Sequence, residues 1–377
     1  VSAVQAGGKR NILGPVMLVV LAAAVAGGIY WSYRDKHAEA LPAPQAERLA
    51  QVRGAIGSEK LPFFSDTRVQ QALARHGLQL TVEKHGSREI AALPDLKSYD
   101  FAFPAGEPAA VKIQEISGKR QSYTPFYTVM VIASWRPIAK ILEANGLARE
   151  EGGHYYIVDM KGLLELSAQA RRWKDLKDSQ AYPVSRSVLI SSTDVRKSNS
   201  AAMYLSLASY LFNDEAVVQT EAEVQAVAPK VAPLFWRQGF QDNTSLGPYD
   251  DYKTIGMGKA PMVMIYEANF IEDRIKQTPL VNADQMVLLY PRPTVYTKQV
   301  FIPLSAQGER LGALLETDPE LQKLAAEYGW RTRQPQAQTE VWKARQVQAP
   351  EQLVDTINPP RFEIVESLIG AVETLKQ

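Results

Sequence analysis

The sequence predicts an α/β protein built on open, mostly parallel sheets and preceded by one N-terminal transmembrane helix, and three observations carry that prediction. Short apolar runs recur from Leu78 onward, and most are continuous rather than alternating, the pattern of strands covered by helices on both faces. Segments with apolar residues at helical spacing separate them. Ahead of all of these, Ile12–Trp31 holds twenty residues without a charge, and at ~1.5 Å rise per residue such a helix spans roughly the 30 Å hydrocarbon core of a bilayer.

Taken in chain order, residues 1–11 are a short tail and 12–33 the anchor. Lys9 and Arg10 before the apolar run, against Arg34, Asp35 and Lys36 after it, give a small bias toward a cytoplasmic N-terminus, and Tyr30, Trp31 and Tyr33 suit the far interface. The same three charged residues separate the run from the small-residue site Ala38-Glu39-Ala40, which favours an uncleaved anchor over a removed signal peptide. Residues 34–52 read as a Pro/Ala/Gln-rich stalk passing into a short helical pattern. The body, 53–333, carries strand-like runs at Leu78–Val82, Tyr99–Phe103, Thr128–Ala133, Val188–Ile190, Met262–Ile265, Met286–Leu289 and Val300–Ile302. Between them lie helical patterns at Thr67–His76 (capped by Ser65 or Asp66), Pro137–Leu147, Leu163–Trp173, Ser198–Phe212, Gly308–Leu315 and Pro319–Tyr328. Residues 334–377 form a Gln-rich, loop-like linker and a helix from Phe362. Its Phe362, Val365, Ile369 and Val372 either pack back on the body or face a partner.

Composition removes several kinds of chemistry. Lys and Arg number 42 against 41 Asp and Glu, so no overall field recruits nucleic acid. There is no cysteine, hence no disulfide framework, thiolate metal site or cysteine nucleophile, and the four histidines are scattered, which speaks against a metal centre. No Gly-x-Ser-x-Gly elbow occurs, and Gly256-Met-Gly258-Lys259 lacks the spacing and the hydroxyl residue of a phosphate loop. The expectation is a binder rather than an enzyme, without cofactor.

Open α/β sheets take ligands at the carboxyl ends of strands, where helix N-termini point. Two turns there are rich in donors: Lys84-His-Gly-Ser-Arg88 and Thr193-Asp-Val-Arg-Lys-Ser-Asn-Ser200. Gly86 and Ser87 serve equally as a turn with an N-cap and as ligand donors; Ser198, Asn199 and Ser200 supply more caps than one helix needs. Of Arg88, Arg196, Lys197 and Lys259, about one is expected to enter a cleft, the rest being solvated. Tyr252 and Tyr266, beside the strand at 262–265, either close a pocket or sit in the core. His85 reads as a plain turn histidine, and Glu59 beside Lys60 as surface charge.

These features occur in an order that resembles the type II periplasmic substrate-binding proteins, two-lobed extracytoplasmic receptors. The likeness covers about Ala55 to Thr332. It rests on Gly57-Ser-Glu-Lys60 with Phe63-Phe64 and Asp66, Gly77-Leu-Gln-Leu-Thr-Val82 leading to Gly86-Ser87, and the strand Tyr127–Ser134. Trp173-Lys-Asp-Leu176, the Ser198–Ser200 helix start, Tyr266-Glu267 and Tyr328-Gly-Trp330 follow in turn. The resemblance implies two α/β lobes, about 53–127 with 281–333 and about 128–280, joined by two crossing strands and closing on a ligand. It also implies Ser58 as a contact. Ser134-Trp-Arg-Pro137 and Pro359-Pro-Arg-Phe-Glu-Ile-Val365 look like a membrane-anchored branch associated with von Willebrand A domains, and the chain is similar to plasmid tellurite-resistance and stable-inheritance proteins. About 45 residues follow Thr332, too few for a von Willebrand A domain, which assigns any such domain to a partner.

The combined expectation is a single-pass inner-membrane protein whose periplasmic or extracellular domain clamps a small polar or anionic solute. The contacts are Ser58, Gly86, Ser87, Ser198, Asn199, Ser200, Tyr252 and Tyr266, and the protein reports the solute or delivers it to an envelope complex. The rival is a ligand-free structural adaptor in an envelope stress or tellurite resistance complex.

Overall fold

The computed structural model describes residues 17, 22–32, 49–239, 247–280, 282–353 and 355–375. Two compact units are present, Val1–Arg48 and Leu49–Gln377. In the first, residues 17 and 22–32 are helical and exposed. The tail 1–11, the rest of the expected anchor and the stalk up to residue 48 lie outside the described residues. Among the described residues no helix is long and apolar enough to cross a membrane.

The second unit is a mixed α/β structure of two lobes. Its strands are β1 (Ala50–Gly57), β2 (Leu78–His85), β3 (Phe101–Phe103), β4 (Tyr123–Trp135), β5 (Ala148–Glu151), β6 (Tyr155–Asp159), β7 (Met262–Tyr266), β8 (Met286–Arg292), β9 (Thr294–Pro303), β10 (Arg331–Thr332) and β11 (Thr356–Ile357). They join in the order β2-β1-β3-β9-β4-β8-β6-β5, with β7 and β10 also paired to β4 and β11 to β9. In the first lobe β1 lies parallel to β2 and β3. In the second, the far half of β4 pairs antiparallel with β7 and β8, and β8 pairs parallel with β6.

The long strands β4 and β9 connect the two. Residues Tyr123–Val129 of β4 pair with β9, whereas Met130–Trp135 pair with β7 or β8. Each lobe has its own core on either side of this crossing. Phe63, Phe64, Phe101, Phe103, Phe126 and Phe301 fill the first, and Val131, Trp135, Tyr156, Leu205, Phe235 and Leu289 are among those that fill the second. Each such side chain removed from water contributes about 1.5–3 kcal/mol before entropy is counted.

Several expectations are corrected by this arrangement. The sheets are mixed rather than mostly parallel, because a chain that crosses between lobes on β4 and returns on β9 must run antiparallel there. The helical pattern at the end of the stalk is β1 from Ala50, where parallel partners on both sides outweigh local propensity. Val188–Ile190 is buried coil, touching the sheet only through a bridge from Ser191 to Val263; a continuous apolar run marks burial, not conformation. Met286–Leu289, allotted on sequence to the first lobe, lies in β8 within the second core. The linker after residue 334 contains a helix, Pro335–Ala344, begun by Pro335 at its first turn and held by Val341 and Trp342 against Ile271, Ile275 and Ala326. The final helix, Phe362–Thr374, packs back on the body: Ile364, Val365, Leu368, Ile369 and Val372 are buried in the second core.

Candidate functional site

Three strand ends and one helix start converge on a single cavity of about 360 Å³. β1 ends at Gly57 and turns through the short 3-10 helix Ser58–Lys60; β2 ends at His85 and passes through Gly86 into the short helix Ser87–Ala91. Because β1 and β2 are parallel and in register from Ala50 with Leu78 to Gly57 with His85, both turns emerge at the same edge. The second lobe supplies Lys197–Ser200, at the start of the helix Asn199–Phe212, and Tyr266, the last residue of β7.

Seven of the eight residues expected from sequence line this cavity: Ser58, Gly86, Ser87, Ser198, Asn199, Ser200 and Tyr266. Tyr252 does not. It is fully buried, its ring lies 4.7 Å from that of Trp135, and its hydroxyl donates to the Ser134 carbonyl at 2.6 Å, so it is a core tyrosine of the second lobe. Of the four cations considered, Lys197 lines the cavity. Arg88 donates to the carbonyls of Val195 (3.1 Å) and Arg196, Arg196 is paired with Asp194 (2.6 Å), and Lys259 lies near Asp251, lining a different cavity.

On the first wall, Gly86 and Ser87 are bonded within their own lobe. The Gly86 amide donates to the Glu89 carboxylate at 2.8 Å, and Ser87 Oγ accepts the Ala105 amide at 2.8 Å, which leaves the Ser87 hydrogen to donate elsewhere. The second wall is organised differently. Ser198 occupies the N-cap position with extended backbone but makes no capping bond. Its hydroxyl instead lies 2.9 Å from Ser200 Oγ, which is 3.2 Å from Thr193 Oγ1, giving a chain of three buried hydroxyls. The first amides of a 14-residue helix thus lack the side-chain acceptor such a position ordinarily supplies, and the helix dipole favours negative charge there.

Asn199 ties the second wall together by donating to the Tyr266 hydroxyl at 2.9 Å, and its amide is the group nearest Gly106 of the first lobe. Gly106 has φ +87, and a Cβ there would come into ordinary contact with Asn199 Nδ2 at 3.4 Å, so a side chain here would be strained by the backbone rather than by space. Burial pushes the Tyr266 phenol up, helped by the nearby Glu59 carboxylate and partly opposed by Asn199, so it remains a neutral donor.

Sequence reasoning missed part of the site. Glu59, His85, Lys84 and Glu89, none of them among the expected contacts, also line the cavity. Glu59 and Lys60 are not surface charge: the lysine is buried, ion-paired to Glu59, and its ammonium lies 4.7 Å from the Phe103 ring centre. Burial pulls the Lys60 pKa down while Glu59 opposes the shift. Adjacent opposite charges in a sequence do not reveal which way they face; the only available signal was the apolar Phe63-Phe64 that follows. Among the described residues, no three His, Asp or Glu side chains are grouped to hold a metal ion.

No family model matches the chain, and no curated protein is significantly similar to it. Solved structures do resemble it. Apo ferric ion-binding protein A from Pasteurella haemolytica superposes with a TM-score of 0.54 at 11% identity over 86% of this chain and 96% of that one. Iron-bound HitA from Pseudomonas aeruginosa gives 0.51 at 11% identity, covering 87% and 97%. The periplasmic binding protein AfuA from Actinobacillus pleuropneumoniae, with fructose-6-phosphate bound, gives 0.51 at 10% identity, covering 85% and 96%. At these identities the likeness shows the fold, and that fold is the two-lobed one of periplasmic binding proteins.

Proposed function

We propose that this protein is an extracytoplasmic solute-binding protein whose cleft takes a small oxyanion or anionic solute. The observation that carries the reading is the start of the helix Asn199–Phe212: no side-chain cap, three linked hydroxyls and Lys197 beside them, facing Ser87 and Gly86 across the cavity. Hydroxyls and amides that converge on one point suit an anion, and closure of the lobes adds the neutral Tyr266 phenol as a further donor. Iron, the cargo in the HitA structure, fits this donor set poorly. The cavity offers one histidine and the carboxylates of Glu59 and Glu89, with Glu59 engaged by Lys60 and Glu89 by the Gly86 amide.

The finer reading follows from the sequence. Residues 12–33 anchor the protein in the inner membrane, the body faces the periplasm or exterior, and a transporter or a protein bearing a von Willebrand A domain receives the solute. A tethered receptor gives up diffusion for a fixed position beside its partner. The adaptor reading, including a role in a tellurite-resistance complex, draws on the fixed anchor, the likeness to resistance proteins and the tail helix as a docking element. Burial of that helix's apolar face against the second lobe leaves the solute reading the stronger.

Thermal unfolding of the full chain against a panel of sulfate, phosphate, molybdate, tellurite, sugar phosphates, amino acids and neutral sugars tests the proposal. A ligand of the folded state at a hundredfold excess over its Kd adds roughly 2.7 kcal/mol. A dose-dependent rise confined to anions is expected. A flat response across the panel would move the assignment to the adaptor.

A further inference from the structure

We propose that the C-terminal helix Phe362–Thr374 is a clasp that holds the two lobes together beside the cleft, so that solute release requires its acidic face to let go of the first lobe. The inference rests on the reading of the cavity as a solute cleft between lobes. Its geometry is asymmetric. On the second-lobe side the helix is seated permanently: Ile364, Val365, Leu368, Ile369 and Val372 are buried in that core, and Trp236 Nε1 donates to the Val372 carbonyl at 2.7 Å.

On the first-lobe side the contacts are few and mostly polar. Glu363 pairs with Lys112 at 2.8 Å, Glu366 pairs with Arg88 Nε at 2.6 Å, and Phe362 packs against the small cluster that includes Ile90, Ile113 and Ile302. The charged contacts reach the cleft itself. Arg88 follows Ser87 directly, and besides holding Glu366 it donates to the carbonyls of Val195 and Arg196, just before Lys197 and Ser198 of the opposite wall. One arginine, carried by the first lobe's binding turn, therefore holds both the second lobe's binding loop and the tail helix.

The pairing strengths suit a device that opens. The Glu363 and Glu366 side chains are 52% and 43% exposed, so their ion pairs are weak singly and screened by salt. An apolar seat on one lobe and a salt-sensitive catch on the other let the helix ride with the second lobe while the first swings away. A ligand that binds the closed state better and a clasp that favours the same state reinforce one another.

The absence of native cysteine permits a direct test on the full chain. Nitroxide labels at Lys97→Cys in the first lobe and Lys174→Cys in the second, both exposed, report the spacing of the lobes with no solute added. Adding Glu363→Gln and Glu366→Gln should shift the distance distribution to longer and broader values. Roughly 1 M salt, where the Debye length is about 3 Å, should do the same to the parent and little more to the variant. Exchanging the charges of one pair, Lys112→Glu with Glu363→Lys, should restore part of the short spacing. For any anion found to bind, the double glutamine variant should release it roughly 2- to 10-fold faster. An unchanged distance distribution in a variant with parental circular dichroism would overturn the clasp. If the spacing responds while no anion binds either protein, the clasp stands and the solute reading falls.

Discussion

Two buried polar clusters, one around Glu267 and one lining the cavity, handle polarity in opposite ways. At one, Glu267 is completely buried and receives Arg331 through two bonds, Nε at 2.7 Å and Nη2 at 2.8 Å, together with the Tyr290 hydroxyl at 2.7 Å. Every strong charge there has its partner within the fold, and Arg331 sits on β10 paired to Tyr127 of β4. At the other, Ser87, Ser198, Ser200 and Tyr266 are buried or nearly so, are neutral, and retain hydrogens or amides still able to donate. Removing a partner from the first set leaves a charge stranded inside the protein. Removing a hydroxyl from the second strands no charge, and the donor it removes is one that the proposed anion would engage. The Glu267 network is closed within the fold, whereas the proposed anion would engage the donors left open in the cavity.

The largest effect should come from breaking the first set. Glu267→Ala is expected to lower stability by about 3–5 kcal/mol, since it strands a buried guanidinium, and a denaturant titration measures it. If anion affinity fell as steeply while stability held, the division between hinge and cleft would be wrong. Next in size, Ser87→Ala with Ser200→Ala should weaken anion binding about 10- to 100-fold by titration calorimetry, as expected when hydrogen bonds to a charged group are lost. Part of any stability change there comes from Ser87, whose loss orphans the Ala105 amide. Tyr266→Phe should cost about tenfold in affinity and roughly 1 kcal/mol in stability, the latter because Asn199 Nδ2 loses its acceptor.

The smallest effect lies away from both sets, and it calibrates them. Asp66 caps the helix Thr67–Arg75, and its hydrogen bonds from the Arg68 side chain, assisted by the Arg68 amide and the Tyr328 hydroxyl, hold its pKa down at about 2 against 3.8 ordinarily. A depressed carboxylate stabilises the fold fully above its unfolded value and loses that contribution as pH falls from about 4 toward about 2. Asp66→Asn should flatten that part of the acid unfolding curve and leave anion affinity at pH 7 unchanged.

Much of the site could be read from the chain because its residues cluster in turns that follow strands. Gly86-Ser87 and Ser198-Asn-Ser200 are local signals, each placed at a helix start by its own neighbours. Glu59, Lys60 and Tyr252 could not be read so. The direction in which Glu59 and Lys60 face depends on Phe103, and Tyr252 depends on Trp135 and the Ser134 carbonyl, more than a hundred positions away. The same limit applies to the fold: β2, β4 and β7 match apolar runs, whereas β1 begins inside the helical pattern at the end of the stalk and is a strand because β2 and β3 flank it.

The sequence by itself determined the alternation of helices and strands, the absence of thiol chemistry and the two donor-rich turns, since each depends on residues close together in the chain. Only the tertiary structure decided that those turns face one another, that β8 belongs to the second lobe, and that the tail helix bridges both lobes. Those outcomes depend on which buried surfaces meet and which charges find partners across long separations, and no local pattern encodes that choice.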